Sequence, residues 1–297
     1  MLSIRSAAAL LLLLAGPWAD AYDQEVGLML AYVEKALYCG DERFSRWDVG
    51  DSIVHGPKVN VSTVRVVNGG TTQATAGIGR MLQPRGCFVS IKGTFGDMSS
   101  LMDGLIWMSS FDRQSCPGCK GHFGFLKSYE SIKSGVFDAL KELGCKGQPM
   151  FLTGHSMGAA QLTFLLYDLL EAKYEVKHMY AMESPRPGNL AFQKALGKML
   201  KGVNAWRVSH FKDLVVHLPP RGLYYHALPE IYYTARNGTD FRKCGVEDDS
   251  CSNKWSLVEE TVSDHEWYAD IDPCRCSNAS KTPPERAHHD PSQMLLM

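Results

Sequence analysis

The residue types that can do chemistry are most concentrated at Gly154-His155-Ser156-Met157-Gly158. A short apolar run, Pro149-Met150-Phe151-Leu152, precedes them, and an apolar helical pattern over 157–170 follows at once. A buried strand entering a helix through G-x-S-x-G is the setting of a nucleophile elbow. The turn is so tight that small residues must flank the serine before its hydroxyl can stand above the sheet edge. Serine at neutral pH is a poor nucleophile. It needs a base, and the base needs an orienting acid.

On this kind of turn the partners follow in the order Ser, acid, His. The segment Trp206-Arg207-Val208-Ser209-His210-Phe211-Lys212-Asp213 carries a strand into a loop that ends on an acid, with Leu214, Val215 and Val216 beyond it. Asp213 is therefore the candidate acid. Asp248, Asp249 and Asp264 lie in polar stretches that read as solvated loops. Among the later histidines, His217 and His226 follow Asp213 too closely for another element to intervene, and His288 and His289 fall in a polar tail. His265, within Asp264-His265-Glu266-Trp267-Tyr268, is the candidate base.

These residues need elements to hold them. An amphipathic helix is expected over 23–38, strands over 61–67 and 72–81 around Asn68-Gly69-Gly70, and a buried strand over 87–91. A long helix over 123–143 follows, then strands at 149–152, 178–182 and 204–208 and helices at 157–170 and 190–200. Short apolar strands alternating with helices predict an α/β fold, with a mostly parallel central sheet and helices on both faces.

The 297 residues are 45% hydrophobic and 21% charged, which excludes collagen-like, coiled-coil and wholly disordered chains. Net charge is −1, so no overall basic field points to nucleic acid. Nine cysteines favour an oxidising compartment, and the odd number leaves at least one thiol over or paired outside the chain. Arg5, the apolar run 7–15 and Ala19-Asp20-Ala21 read as a secretory signal peptide over 1–21. That run is far shorter than the roughly 20 residues of a membrane span. A single domain over 22–276 and a polar, disordered tail over 277–297 complete the expected organisation. Asn60, Asn237 and Asn278 open N-glycosylation sequons.

Several motifs between Cys39 and Cys274 resemble the class 3 lipases typified by secreted filamentous-fungal triacylglycerol lipases. Gly154-His155-Ser156-Met157-Gly158 is similar to the family's G-H-S-[LM]-G, and Ser184-Pro185-Arg186-Pro187-Gly188-Asn189 to its A-P-R-V-G-N turn. The run from His210 to Pro220 resembles H-x-x-D-x-V-P-x-L-P-P, and Asp264-His265-Glu266-Trp267-Tyr268 the D-H-L-x-Y block. The resemblance implies an α/β-hydrolase fold with a short lid and the same three residues, Ser156, Asp213 and His265.

It also implies what spacing does not reveal. Val89-Ser90-Ile91-Lys92-Gly93-Thr94 is similar to a strand ending in F-R-G-[ST], which makes the N–H groups of Thr94 and Met157 the expected oxyanion donors. Met98, Leu101, Met102 and Leu105 fall on one helical face where the family carries its lid, without the tryptophan usual at the lid tip. Cys116 and Cys119 are expected to bridge locally and Cys39 to pair with Cys274. Cys244 with Cys251 can close a small loop, Cys87 and Cys145 open strands expected to be adjacent, and Cys276 remains over. The activity implied is hydrolysis of lipid esters, most simply acylglycerols at a transient lipid–water interface, with no metal or cofactor. A phospholipase A1, a feruloyl-type esterase and a catalytically silent lipid-binding protein are the alternatives.

Overall fold

The computed structural model describes residues 22–93, 107–256 and 259–277. Helix α1 (Gln24–Leu37) is capped by the Asp23 carboxylate, which accepts from the Val26 N–H. Two short helices, α2 (Asp41–Ser45) and α3 (Ser52–His55), follow. Strands β1 (Lys58–Asn68), β2 (Thr75–Gln83) and β3 (Arg85–Ile91) form an antiparallel meander. A two-stranded sheet joins β4 (Met108–Ser110) to β5 (Lys120–His122). Helix α4 (Phe123–Glu142) leads to β6 (Met150–His155), α5 (Met157–Glu171), β7 (Val176–Met182), α6 (Leu190–Met199) and β8 (Asn204–His210). Two short strands, β9 (Glu230–Tyr233) and β10 (Phe241–Cys244), end the main sheet.

The eight-stranded sheet runs β1-β2-β3-β6-β7-β8-β9-β10. Strands β3, β6, β7, β8 and β9 are parallel, while β1 and β2 on one side and β10 on the other pair antiparallel. The strand pleat splits the core into two layers. Cys87, Val89, Ile91, Met150, Leu152 and Met179 face α4, α5 and α6. Phe88, Phe151, Tyr180, Met182, Trp206 and Val208 face α1. Both faces are covered, so the central strands are buried at nearly every position instead of alternating.

The cysteine pairing differs from expectation at one place. Cys87–Cys145, Cys116–Cys119 and Cys244–Cys251 are bridged, but Cys39 pairs with Cys276 (Cα–Cα 4.8 Å), and Cys274 is the free thiol. A turn at Asp272, whose carboxylate accepts from the Cys274 N–H, sends the Cys274 side chain inward. Two residues later Cys276 emerges beside Cys39. Ser277, the first residue of the expected tail, is still packed: its hydroxyl accepts from the Asp51 N–H at 3.1 Å.

Candidate active site at the carboxyl edge of the sheet

All described parts of the site sit where parallel strands end, the usual place for a site on an open α/β sheet. Ser156 follows β6 directly and takes φ 56°, ψ −129°, a conformation that L-residues adopt only under constraint. The flanking glycines explain how the turn closes. A Cβ on Gly158 would lie 2.0 Å from the Ile91 carbonyl oxygen, and one on Gly154 would be 3.0 Å from the same atom. Strand β3 thus presses against both ends of the elbow. The Ser156 N–H donates to the Met182 carbonyl at 2.9 Å, tying the elbow to β7 as well.

Asp213 stands just beyond β8 and is 1% exposed. Its Oδ1 accepts from the Val215 N–H at 2.8 Å, and its Oδ2 accepts from His265 Nδ1 at 3.0 Å. Burial works against its charge, but the His265 ring and the Val215 N–H prevail and hold the carboxyl below the ordinary aspartate range. His265 lies on a short 3₁₀ turn (Val262–Glu266) whose cap, the Thr261 hydroxyl, accepts from the Asp264 N–H. Asp264 is not the solvated loop acid that its polar surroundings suggest. It is 1% exposed and ion-paired to Arg236 at 2.8 Å, so it anchors the turn that presents His265. His210 adds a second tether, with its ring nitrogens 3.1 Å from the Asp264 carbonyl and 3.0 Å from the Arg236 carbonyl.

The set is brought to the elbow through His155. Its Nε2 donates to the His265 carbonyl at 2.7 Å, and the two rings lie 4.6 Å apart. Burial first, then the His265 ring, push the His155 imidazole down to about 3, so it is neutral. Its tautomer therefore leaves Nδ1 as an acceptor facing Cys274 Sγ at 3.4 Å. Tyr38 joins Cys274 to the end of β3, because its hydroxyl accepts from the Gly93 N–H at 3.1 Å. The Cys274 thiol is thus part of a buried polar chain, and desolvation keeps it protonated. Beneath the sheet, Glu34 of α1 accepts from the Ser90 hydroxyl, and burial raises its carboxyl to about 8.

Met157 opens α5, which places its N–H at the N-terminus of that helix, beside the elbow. The partner donor implied by the resemblance, Thr94, and the lid residues Met98, Leu101, Met102 and Leu105 lie outside the described residues. Of the rejected histidines, His217 contacts Glu260 at 2.8 Å and His226 bonds the Val216 carbonyl at 2.8 Å; each is tied up away from Asp213. His155, Tyr38, His210 and Glu183 support the site although the motifs assign them no role, and Cys274, expected in a disulfide, joins them as a thiol. The signal for Glu183 is its position: an acid directly after the apolar strand 178–182 falls at the same sheet edge as Ser156.

Residues 88–223 match the model of the class 3 lipase family. Over 125 residues the chain is 34% identical to the secreted mono- and diacylglycerol lipase A of Penicillium cyclopium, covering 41% of this chain and 40% of that protein. Over 201 residues it is 30% identical to a lipase of Rhizopus niveus, covering 64% of this chain and 49% of that one. The chain thus matches about half, or less, of the length of these curated relatives. Among solved structures, lipase II from Rhizopus niveus superimposes with a TM-score of 0.72 at 22% identity, covering 86% of this chain and 98% of that chain. The fold is therefore the α/β-hydrolase fold of the fungal lipases. Over residues 88–223 the chain is thus similar to the class 3 lipases, and it shares the fold of the fungal lipases.

Proposed function

We propose that this protein is a secreted serine ester hydrolase that cleaves lipid esters, with acylglycerols as substrates. Ser156 attacks the ester carbonyl while His265 takes its proton through Nε2, the ring nitrogen not engaged by Asp213. Asp213 keeps the proton on Nδ1 and stabilises the imidazolium that forms. The Met157 N–H, with Thr94 as its partner, receives the developing oxyanion; one such donor is worth about 3–4 kcal/mol to the transition state. His265 then gives its proton to the departing alcohol. Water, activated by the same ring, releases the acid.

One observation carries this reading: a buried carboxylate holds Nδ1 of a histidine whose own carbonyl is bonded to the residue preceding an elbow serine. A lipid carrier on the same scaffold has no need of that arrangement. Similarity to the Penicillium mono- and diacylglycerol lipase favours partial acylglycerols among the substrates. Secretion is supported by the signal-like N-terminus and four disulfides. Among the described residues no helix is long and apolar enough to cross a membrane.

The test is hydrolysis of p-nitrophenyl esters of graded chain length, followed by mono-, di- and triacylglycerols, with Ser156→Ala as control. Turnover that rises with acyl length and vanishes in the variant is expected. Turnover that survives in Ser156→Ala, or is absent in the wild type, contradicts the proposal.

A further inference from the structure

A second acid, Glu183, stands beside Asp213 at the end of β7 and has no place in the steps above. It is fully buried and adopts φ 51°, a left-handed conformation uncommon for a residue other than glycine. Its N–H donates to the Val208 carbonyl at 2.8 Å, which fixes the backbone against β8. Ligand-type atoms of Glu183, Asp213 and His265 all lie within 4.8 Å of one another.

The donors around this cluster are nearly used up. Glu183 Oε2 accepts from the His210 N–H at 3.1 Å. Asp213 Oδ1 and Oδ2 accept from Val215 and His265. Among the described residues, no donor reaches the buried Glu183 Oε1. The charged groups facing it are Asp213, His265 and, from β8, Arg207, whose guanidinium is held 2.9 Å from Glu230. Two ionised carboxylates cannot share such a space, and the carboxylate with the better partners keeps its charge. Asp213 has the histidine and the stronger set of donors, so the proton resides on Glu183. Burial and the Asp213 charge both push the Glu183 carboxyl well above its ordinary range.

On the reading that Asp213 orients a reacting His265, we propose that Glu183 is a positioning residue, a neutral carboxylic acid whose Oε1–H donates to the Asp213 carboxylate. This hydrogen bond fixes the Asp213 plane and draws off part of its charge, which tempers the pull of Asp213 on the His265 imidazolium. Three buried groups then hold one negative charge, plus the proton that His265 gains during turnover.

Two variants separate this role from simple packing. Glu183→Gln keeps a donor toward Asp213 and an acceptor for the His210 N–H but cannot ionise. Glu183→Met keeps the bulk and loses the donor. At pH 7, kcat of Glu183→Gln on a p-nitrophenyl ester should stay within about threefold of wild type. Glu183→Met should lose kcat by about 10–100-fold at unchanged KM, the usual cost of removing a partner that orients a reactive group. Its acid limb of kcat/KM should move to higher pH, because the undiluted Asp213 charge favours the imidazolium. In infrared difference spectra at neutral pH, the carbonyl band of a protonated carboxyl present in the wild type should be missing in Glu183→Gln. That band does not depend on turnover, so it reports on the proton even if the wild type proves inactive on esters, the result that would instead sink the hydrolase reading. Wild-type kcat and limb in Glu183→Met overturn the proposal. So does an equal loss in both variants, or a spectrum in which Glu183→Gln removes no such band.

Discussion

Replacing Gly158 by alanine sets two physical effects against each other. Gly158 lies in the first turn of α5, where alanine is favoured over glycine by up to about 1 kcal/mol. Against this, the new Cβ would lie 2.0 Å from the Ile91 oxygen and 2.7 Å from the Ile91 and Lys92 carbonyl carbons. All three are backbone atoms, so no side chain can rotate away. Restoring ordinary contact at about 3.4 Å requires β3 and the start of α5 to part by more than 1 Å. Forced overpacking of this kind costs about 1–3 kcal/mol and more where backbone must move. The strain therefore exceeds the helix gain, and the melting temperature should fall by roughly 2–10 °C for a chain of this size. Activity should suffer more than stability. The shift separates the turn at Gly93 from Ser156, and a misplacement of about 1 Å can cost about 10²-fold in rate. Thermal melting by circular dichroism and kcat on a soluble p-nitrophenyl ester read both effects. A raised melting temperature, or a kcat within about threefold of wild type, would refute the reasoning.

Other consequences can be checked alongside. Asp213→Asn should lower kcat on the same ester by about 10⁴-fold at little-changed KM, because the amide favours the wrong His265 tautomer; near-normal turnover would move the acid elsewhere. Unreduced, denatured protein should titrate one thiol, absent in Cys274→Ala, and peptide mapping should recover Cys39 linked to Cys276; a Cys39–Cys274 peptide would contradict the structure. His155 is neutral down to about 3 when folded but binds a proton below about 6.5 when unfolded, so stability should fall as pH drops through that window. His155→Gln should flatten this acid slope, as measured by denaturant midpoints. Glu34 has the opposite sign: its folded value near 8 makes the native state hold the proton longer, so stability is lost as pH rises from about 4.5. Glu34→Gln should therefore gain on the wild type at alkaline pH, and an unchanged difference across pH would sink that assignment.

The elbow was legible because its chemistry and its packing demand the same residues: small ones at 154 and 158, a buried strand before and an apolar helix after. Asp213 was legible because a strand of apolar residues delivers it to the sheet edge. Asp264 was misread because its burial depends on Arg236, a partner 28 residues earlier that no local pattern reveals. Cys274 and Cys276 stand two residues apart, and only the turn at Asp272 decides which of them reaches Cys39. Strands β9 and β10 are four residues each, and Phe241-Arg242-Lys243-Cys244 is too polar to read as a strand; it is an antiparallel edge that needs one apolar face at most. The β4–β5 pair is shorter still and exists through its hydrogen bonds with the neighbouring loops. Glu183 directly follows the apolar strand 178–182. Its burial is visible only once β8 brings Asp213 alongside it.

The proposed nucleophile is Ser156 Oγ, which carries the acyl group and is activated by His265 and Asp213. The most direct measurement of this role is covalent capture with diethyl p-nitrophenyl phosphate, which phosphorylates an activated serine and releases p-nitrophenol. One equivalent of p-nitrophenol should be released per chain, with the diethylphosphoryl group found on the Ser156 peptide by mass spectrometry. Esterase activity should be lost in step, and Ser156→Ala and His265→Ala should remain unlabelled. A label on another residue, or full activity after stoichiometric labelling, would contradict it.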